Sequence, residues 1–549
     1  MAVGWNTERL FPTLSEAQMN RIAAHGRRRQ TTKGEVLTEV GDIAPFFVVV
    51  RGTLEVLSPA AGVEKIIVTH GTGEFTGEAN MITGRRSLAR LRVSEDGEVI
   101  QLDQSALLAL IQTDAELSAV LMRAFILRRA ELIAGGYGGV IIVGSTHSAG
   151  TLRVKEFLTR NGHPHRYIDL DRDREAQELL DEFQVTVADI PVMICGATVL
   201  RNPTNQQIAD CLGFNEAIDQ KQVRDLIIVG AGPAGLAAAV YGASEGLDVL
   251  VLEAGSAGGQ AGTSSRIENY LGFPTGISGM DLTTRAYAQA LKFGAEVMVA
   301  KGAVRLECRS PLYGVAIGDD ATVVTRAVII ASGAEYRKPS IENLRQFEGA
   351  GVYYAATQME AQLCAGEEVF IVGGGNSAGQ AAVFLAATAR RVHILVRKEG
   401  LAETMSRYLI RRIEESPSIQ LQPHCEIVAL EGSGHLERVQ WRDNKTGAAH
   451  TSHIEHVFIM AGAVPNTQWL NRCVALDDKG FVKTGTDISR EELSSAGWSL
   501  TRPPYILETS HPGVFAVGDV RAGNIKRVAS AVGEGSIAIS FVHQLLNAP

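Results

Sequence analysis

The sequence predicts a multidomain α/β protein, and three observations carry that prediction. The chain has 549 residues, which at roughly 150 residues per domain gives three to four domains. Two glycine-rich turns, each set between an apolar strand-like run and a helical run, occur about 140 residues apart, near positions 230 and 373. Ahead of them, short apolar runs punctuated by glycine read as the strands of a small β-barrel or sandwich. Hydrophobic residues make up 45% and charged residues 21%, an ordinary globular balance that excludes a wholly disordered chain. Glycine is the outlier, at 57 of 549 residues or about one in ten against an average near 7%, and it points to close approaches between backbone and ligand.

Several classes fall away. With 52 basic against 61 acidic side chains the net charge is −9, which argues against a dedicated nucleic-acid binder. Met1–Leu10 contains Glu8 and Arg9 and no apolar core, so no secretory signal is read there. No run approaches about 18 apolar residues, so no membrane span is expected. The six cysteines (Cys195, Cys211, Cys308, Cys364, Cys425, Cys473) are expected to be unpaired in a reducing cytoplasm. No two of them are spaced as C-x-x-C, and no metal site is expected.

In chain order, Val36–Val40, Phe46–Val50 and Thr53–Leu57 are expected strands bounded by Gly34, Gly41–Asp42 and Gly52. Arg27–Arg29 reads as a solvated charge run. Between Asp114 and Ile133, the apolar residues Leu117, Val120, Leu121, Ala124, Phe125 and Leu127 recur at helical spacing. Gly135–Gly139 is an expected linker, so the first domain takes 1–136. A β-α-β-α-β-β-α unit follows over 137–216. Its strands are Val140–Val143, Arg166–Asp169, Val192–Ile194 and Thr198–Leu200, a hairpin around Gly196 joining the last two. Its helices are Leu152–Arg160, Glu175–Phe183 and Gln206–Leu212. A polar connector, 213–222, leads to α/β sequence that runs to the end.

The first glycine turn has every part that a dinucleotide site requires. Strand Leu226–Val229 runs into Gly230-Ala-Gly232-Pro-Ala-Gly235, then helix Leu236–Ser244, and strand Val249–Leu252 ends at Glu253. The glycines allow a tight turn, close pyrophosphate approach and helix–strand packing, and Glu253 stands where a carboxylate would meet a ribose hydroxyl. The second turn, Gly373-Gly-Gly375-Asn376-Ser377-Ala378, follows Val369–Val372; its next strand, Val392–Val396, ends at Arg397–Lys398. Basic groups at that point suit a 2′-phosphate, so NADPH is favoured, with NADH open.

These two turns, together with Gly258-Gly259-Gln260, Ile267-Glu-Asn269-Tyr270, Val328–Gly333, Val464–Thr467, Val514–Asp519 and Lys526–Ala529, make residues 222–549 resemble the low-molecular-weight thioredoxin reductases of the pyridine nucleotide-disulfide oxidoreductase family. The resemblance implies two interleaved Rossmann-like domains, FAD over 222–338 and 462–549 and NAD(P) over 339–461. FAD would contact Gly230, Gly232, Gly235, Glu253, Gly259 and Gly333. Asp519 would meet the ribityl chain, and Gln260, Asn269 and the backbone of Arg527, Val528 and Ala529 the isoalloxazine. NADPH would contact Gly373, Gly375, Asn376, Ser377, Arg397 and Lys398. A homodimer is also implied.

The family's redox C-x-x-C aligns with Ala355-Ala-Thr-Gln358, so no catalytic cysteine is expected, and Cys364 reads as a packing residue. The middle unit, with Ile190–Pro191 ahead of a strand, resembles the glutaredoxin/thioredoxin fold, but Ser148-Ala-Gly-Thr151 stands at its C-x-x-C and Ser148 reads as an N-cap. The first domain resembles the cyclic-nucleotide-binding family, a β-roll, through Gly34, Gly41–Asp42, Gly52 and Phe75-Thr-Gly77-Glu78…Arg86-Ser87. That resemblance makes Gly77, Glu78, Arg86 and Ser87 the ligand positions and a cyclic nucleotide the effector. The expected function is an FAD-dependent NAD(P)H oxidoreductase passing hydride from NADPH to FAD. Its electron acceptor, a small molecule or a protein, would be other than the usual internal disulfide. Two alternatives stay open: a non-catalytic nucleotide or redox-state sensor, and a disulfide reductase working through a lone cysteine.

Overall fold

The computed structural model describes residues 11–60, 63–77, 86–87, 89–135, 140–146, 148–171, 189–195, 198–309, 312–318 and 321–547. The N-terminal sheet has six strands: Arg27–Thr31, Val36–Thr38, Phe46–Ala60, Val63–His70, Phe75–Thr76 and Arg90–Leu102. One expectation is corrected here. The runs on either side of Gly52 form one strand, because Gly52 takes φ +86° beside Glu95 and Asp96 and the ladder shifts register around it without ending. The charge run Arg27–Arg29 is solvated as expected, exposed at Arg27 and Arg28, and it lies on a strand antiparallel to Val99–Gln101 with Arg28 paired to Glu98. Helices Gln104–Thr113 and Ala115–Gly135 close a core of Phe46, Val48, Phe75, Leu107, Leu121 and Phe125. Gly135 is the last residue of that second helix; the rest of the expected linker lies outside the described residues.

The middle unit is a four-stranded sheet ordered Thr198–Arg201, Val192–Cys195, Val140–Gly144, Arg166–Asp169. Val140–Gly144 runs parallel to Arg166–Asp169, and the other two pairings are antiparallel. Helix Ala149–Arg160 buries Val154, Phe157 and Leu158 on this sheet, and its N-cap is Ser148, whose hydroxyl accepts from the Thr151 amide at 3.4 Å. The Ile190–Pro191 bond is cis. The helix expected over Glu175–Phe183 lies outside the described residues.

The last unit holds two parallel-centred sheets. One carries Glu296–Met298, Val249–Leu252, Val223–Val229, Ala321–Ile330, Leu312–Ile317 and Ala303–Arg309, with Val514–Ala516 added beside Ala321–Ile330. Its central strands are apolar on both faces because helices Pro233–Ser244, Gly279–Lys292 and Val528–Leu546 cover one side and the antiparallel strands fold over the other. The second sheet, Val352–Tyr353, His456–Ile459, Glu368–Val372, Arg391–Val396 and Ile419–Pro423, is parallel throughout. Two strands connect the sheets, Ala334–Tyr336 and Ala463–Pro465, paired antiparallel. No described helix is long and apolar enough to cross a membrane.

The cysteine expectation needs one correction. Cys308 and Cys473 are joined as a disulfide, with Cα atoms 6.1 Å apart across 165 residues of sequence. Such a separation leaves no local signal, because only the tertiary fold brings the two Cα atoms within bonding range. Cys364 is fully buried in the second sheet's core, as a packing cysteine should be.

Phe125 is 1% exposed at the centre of the first core. Phe125→Ala is expected to destabilise that unit by about 3–5 kcal/mol, read as a lower urea midpoint for its transition.

Candidate functional site: two dinucleotide cradles

In the first cradle each glycine does a different job. Gly230 takes φ +107°, and a Cβ there would collide with the Ala331 carbonyl at the end of the neighbouring strand. A Cβ at Gly235 would strike the Gly230 carbonyl, so the helix can start this close to the turn only without a side chain. Gly232 is different: the nearest atom to its notional Cβ is Gly259 Cα at 3.9 Å, so this side is open for a ligand. Gly232 is also the N-cap of Pro233–Ser244 and offers no side-chain cap; Pro233 has no N–H, so the Ala234 and Gly235 amides are the ones left for an anion such as pyrophosphate. Glu253 is doubly tied, accepting from Ala231 N and from Gly255 N, both at 2.8 Å, and burial pushes its carboxyl pKa up. Each carboxylate oxygen keeps a lone pair for a ribose hydroxyl, so Glu253 shapes the loop while remaining able to bind.

The other flavin positions converge on this turn from distant sequence. Gly258 donates to the Ala231 carbonyl at 2.7 Å, and a Cβ at Gly259 would sit 3.1 Å from Gly232 Cα. Gln260 donates to Ala334 O, and Gly333 accepts from Asn466 N at 3.0 Å. The Gly518–Val520 turn packs against Ala234 and places Asp519, whose pKa burial raises while Lys526 opposes the shift. Arg527 is the uncapped N-cap of Val528–Leu546, so Val528 and Ala529 present free amides in its first turn. Asn269 is exposed on the loop closed by the Ile267–Ile277 bridge; its neighbour Glu268 pairs with Arg412 of the second cradle's unit at 2.5 Å.

The second cradle repeats the first in outline. Gly373, at φ +144°, would carry its Cβ 2.5 Å from the Met460 carbonyl, and Gly375 has nothing within 4 Å. Helix Asn376–Leu385 starts on Gly375 without a side-chain cap, and Ala378 is fully buried where the first cradle has its third glycine. Asn376 is spent on structure, accepting from Ser406 N at 2.7 Å. Arg397 and Lys398 are both exposed at the end of the next strand, and Lys398 pairs with Glu403 at 2.5 Å, so a 2′-phosphate would compete with that carboxylate. Tyr336, on the strand paired with Ala463–Pro465, packs against the second sheet's core, and burial raises its hydroxyl pKa.

Ala355–Gln358 forms a helix start without sulfur. Thr357 is the N-cap in a capping box with Glu360, and Ala356 is buried. The adjoining surface is covered by the middle unit: Ala149 lies against Gly349, 2.8 Å from its notional Cβ, and Leu152 packs into the cluster holding Tyr353, Ala356 and Ala361. Cys364 sits beneath, its pKa pushed up to about 11 by burial, so it stays a thiol.

In the N-terminal unit, Gly77 takes φ +95° over the Pro45 carbonyl, and Glu78 lies outside the described residues. Ser87 is buried and zipped to Gly41–Asp42 by two backbone bonds of 2.8 Å. Arg86 donates to Gly41 O at 2.8 Å, and its stem packs over Gly213 of the connector.

Sequence reasoning missed three contributors. Arg160 reaches Gly259 O at 3.0 Å, Asn161 donates to Ser256 Oγ at 2.8 Å, and Glu534 accepts from Gly518 N at 2.7 Å. None lies in a motif. Arg160, Asn161 and Glu534 read locally as ordinary polar helix residues.

Two adjacent dinucleotide cradles on interleaved sheets define an oxidoreductase of the two-nucleotide type. The family model for pyridine nucleotide-disulphide oxidoreductases matches residues 224–535, and the chain belongs to that family. Residues 28–114 match the cyclic nucleotide-binding domain model. The chain is 34% identical over 317 residues to the thioredoxin reductase of Mycolicibacterium smegmatis, covering 58% of this chain and 94% of that protein. It is 31% identical over 327 residues to that of Bacillus subtilis, covering 59% and 95%. Among solved structures, Lactococcus lactis thioredoxin reductase in its FR conformation aligns with a TM-score of 0.53 at 26% identity, over 59% of this chain and 99% of that one. The T. acidophilum enzyme aligns at 0.52 and 27%, over 58% and 98%. Family membership makes the protein an enzyme, thioredoxin reductase-like, with FAD and NADPH as cofactors. The open faces at Gly232 and Gly375 and the uncapped helix starts beside them fit those cofactors.

Gly235→Val forces a branched side chain into the Gly230 carbonyl. It is expected to yield folded protein without flavin, seen as loss of the visible flavin absorbance with far-UV dichroism retained.

Proposed function

We propose that the chain is an NADPH-dependent flavin oxidoreductase. It delivers electrons to an acceptor other than an internal C-x-x-C, and a cyclic nucleotide held by the N-terminal unit regulates it. Bound together, the two cofactors supply hydride transfer from the nicotinamide to the flavin; the protein's part is placement. Gly230–Gly235 and Gly373–Ala378 hold the two pyrophosphates at helix N-termini, Glu253 takes a ribose hydroxyl, Asp519 the ribityl chain, and Lys398 with Arg397 the 2′-phosphate. The observation that carries the reading is the pair of open glycine turns at Gly232 and Gly375, each at an uncapped helix start, on sheets linked by the paired strands Ala334–Tyr336 and Ala463–Pro465. The acceptor claim is supported by Ala355–Gln358, which holds no thiol, and by the inert Cys364. The middle unit's strand order supports a thioredoxin fold acting in docking rather than exchange, with Ser148 serving as a cap.

Anaerobic addition of NADPH to the holoenzyme should bleach the flavin absorbance, and thioredoxin-type disulfides should not restore it, whereas dioxygen or a quinone should. Flavin that stays oxidised under NADPH would leave a sensor and remove the enzyme. Lys398→Ala should raise KM for NADPH roughly tenfold, about 1.4 kcal/mol, and leave KM for NADH nearly unchanged.

Regulation has a physical route in this reading. Arg86 packs over Gly213, and the connector continues to Asn215, whose side chain pairs both ways with the Val299 backbone at 2.9 Å. The adjacent Met298 carbonyl accepts from Glu253 N at 2.9 Å. A cyclic phosphate that recruits the Arg86 fork therefore acts on the segment leading to the flavin cradle. Arg86→Ala should weaken cyclic-nucleotide binding at least tenfold by calorimetry and abolish any effect of the nucleotide on the flavin reduction rate. A rate that responds equally in both proteins would refute the route.

A further inference from the structure

Outside both cradles, the group of nucleophilic side chains best placed for chemistry is Cys308, Cys473 and His511. Cys308 lies on strand Ala303–Arg309, and Cys473 follows the short turn Gln468–Leu470. Their sulfurs are bonded, both residues are only partly buried, and a ring nitrogen of His511 lies within 4.8 Å of both sulfurs. The chain entering Cys473 is strained in a way glycine would relieve: Asn471 and Arg472 take φ +46° and +60°, consecutive left-handed residues with side chains. Such a conformation persists only where its surroundings hold it, and the Cys473 crosslink is one of those holds.

The segment also touches the flavin cradle at both ends. Upstream, Asn466 donates to the Ser332 carbonyl at 2.9 Å and its amide donates to Gly333 O at 3.0 Å. Downstream, Ala475 N donates to Ser510 Oγ at 3.0 Å, and Val482 bridges to Arg521, next to the Asp519 turn. Among the described residues, only the 308–473 bond ties the middle of this stretch covalently to the sheet.

We propose that Cys308 and Cys473 form a thiol–disulfide site, exchangeable with low-molecular-weight thiols, whose opening loosens the 466–482 segment and with it the grip on FAD. The exchange balances simply. A thiolate RS⁻ attacks one cysteine sulfur, the S–S bond breaks and the leaving thiolate takes a proton. A second RS⁻ then displaces the mixed disulfide as RSSR, so two electrons pass from two RSH to the cystine, leaving two protein thiols. A ring nitrogen of His511 lies within 4.8 Å of both sulfurs, and burial lowers the pKa of its imidazole. The proposal rests on the family's use of FAD, not on the identity of the electron acceptor or on regulation by a nucleotide.

The test uses the full-length holoenzyme, air-oxidised and then treated with glutathione or dithiothreitol. Denaturing alkylation with mass spectrometry should find four reactive cysteines before reduction, Cys195, Cys211, Cys364 and Cys425, and six afterwards (4 + 2). On reduction, hydrogen exchange across 466–482 should rise, and FAD release should quicken at least fivefold. C308S and C473S should release FAD at the reduced rate and ignore dithiothreitol. Should these variants fail to fold, the wild-type protein with and without thiol decides alone. Six alkylated cysteines in the oxidised protein would overturn the site. A crosslink whose reduction changes neither exchange nor FAD release would overturn its control of the cofactor. Protein that folds but never binds FAD would instead refute the family-based function, and the thiol count would still judge the pairing.

Discussion

The molecule's chemistry depends on one repeated backbone contact: a glycine leaning on the carbonyl that ends the neighbouring parallel strand. Gly230 does this against Ala331, and Gly373 against Met460. The contact sets the turn so that the following helix points its uncapped N-terminus into the open face beside Gly232 or Gly375. An anion there meets amides already aligned, so little reorganisation opposes binding. The cradles differ at the third position. Gly235 brings the first helix hard against the Gly230 carbonyl, whereas Ala378 stands off by a methyl group, 3.4 Å from the notional Cβ of Gly373. The first helix therefore starts closer to its turn than the second does.

What separates the cradles is as informative as what builds them. Among the described residues, two short antiparallel strands are the only strand pairing between the two sheets, and the Glu268–Arg412 ion pair supplies a further tie. Exposed ion pairs of this kind contribute at most about 1 kcal/mol, so they select an arrangement without freezing it. The helix Ala149–Arg160 adds another tie, because it touches both sides: Ala149 and Leu152 meet the nucleotide unit, while Arg160 and Asn161 bond the loop at Ser256 and Gly259. A rigid helix anchored at both ends opposes rotation of one unit against the other far better than the ion pairs do.

Local chemistry was legible in the sequence, and long-range chemistry was not. The two cradles could be read because strand, glycine turn, helix and second strand are consecutive, and each glycine has a steric reason that follows from its place in the turn alone. Ser148 and Cys364 were legible for the same reason: a cap and a small apolar residue announce themselves locally. Gly52 misled, since a glycine between two apolar runs looks like a turn, and only pairing with Arg90–Leu102 reveals a bulge inside one strand. Arg27–Arg29 was read rightly as solvated from its charge, and only its pairing with Val99–Gln101 lay beyond local reach. Arg160, Glu534 and the Cys308–Cys473 pair lie beyond any local rule. Their partners are brought up by tertiary structure from 99, 16 and 165 residues away, and the helical Glu534 is outwardly one more polar residue.

The placement of the middle unit bears on where electrons leave. A disulfide relay needs two sulfur pairs that approach each other, one beside the flavin and one at the start of a thioredoxin-type helix. Here the helix start at Ser148–Thr151 and the segment Ala355–Gln358 belong to facing surfaces in contact through Ala149, Gly349 and Leu152, and neither carries sulfur. The surface a disulfide partner would use is thus already covered from within the chain. A partner arriving from solution would have to displace a packed apolar contact and the Arg160 and Asn161 hydrogen bonds together, and would find beneath only the buried, protonated thiol of Cys364. An acceptor that approached the flavin cradle by another face would meet neither obstacle.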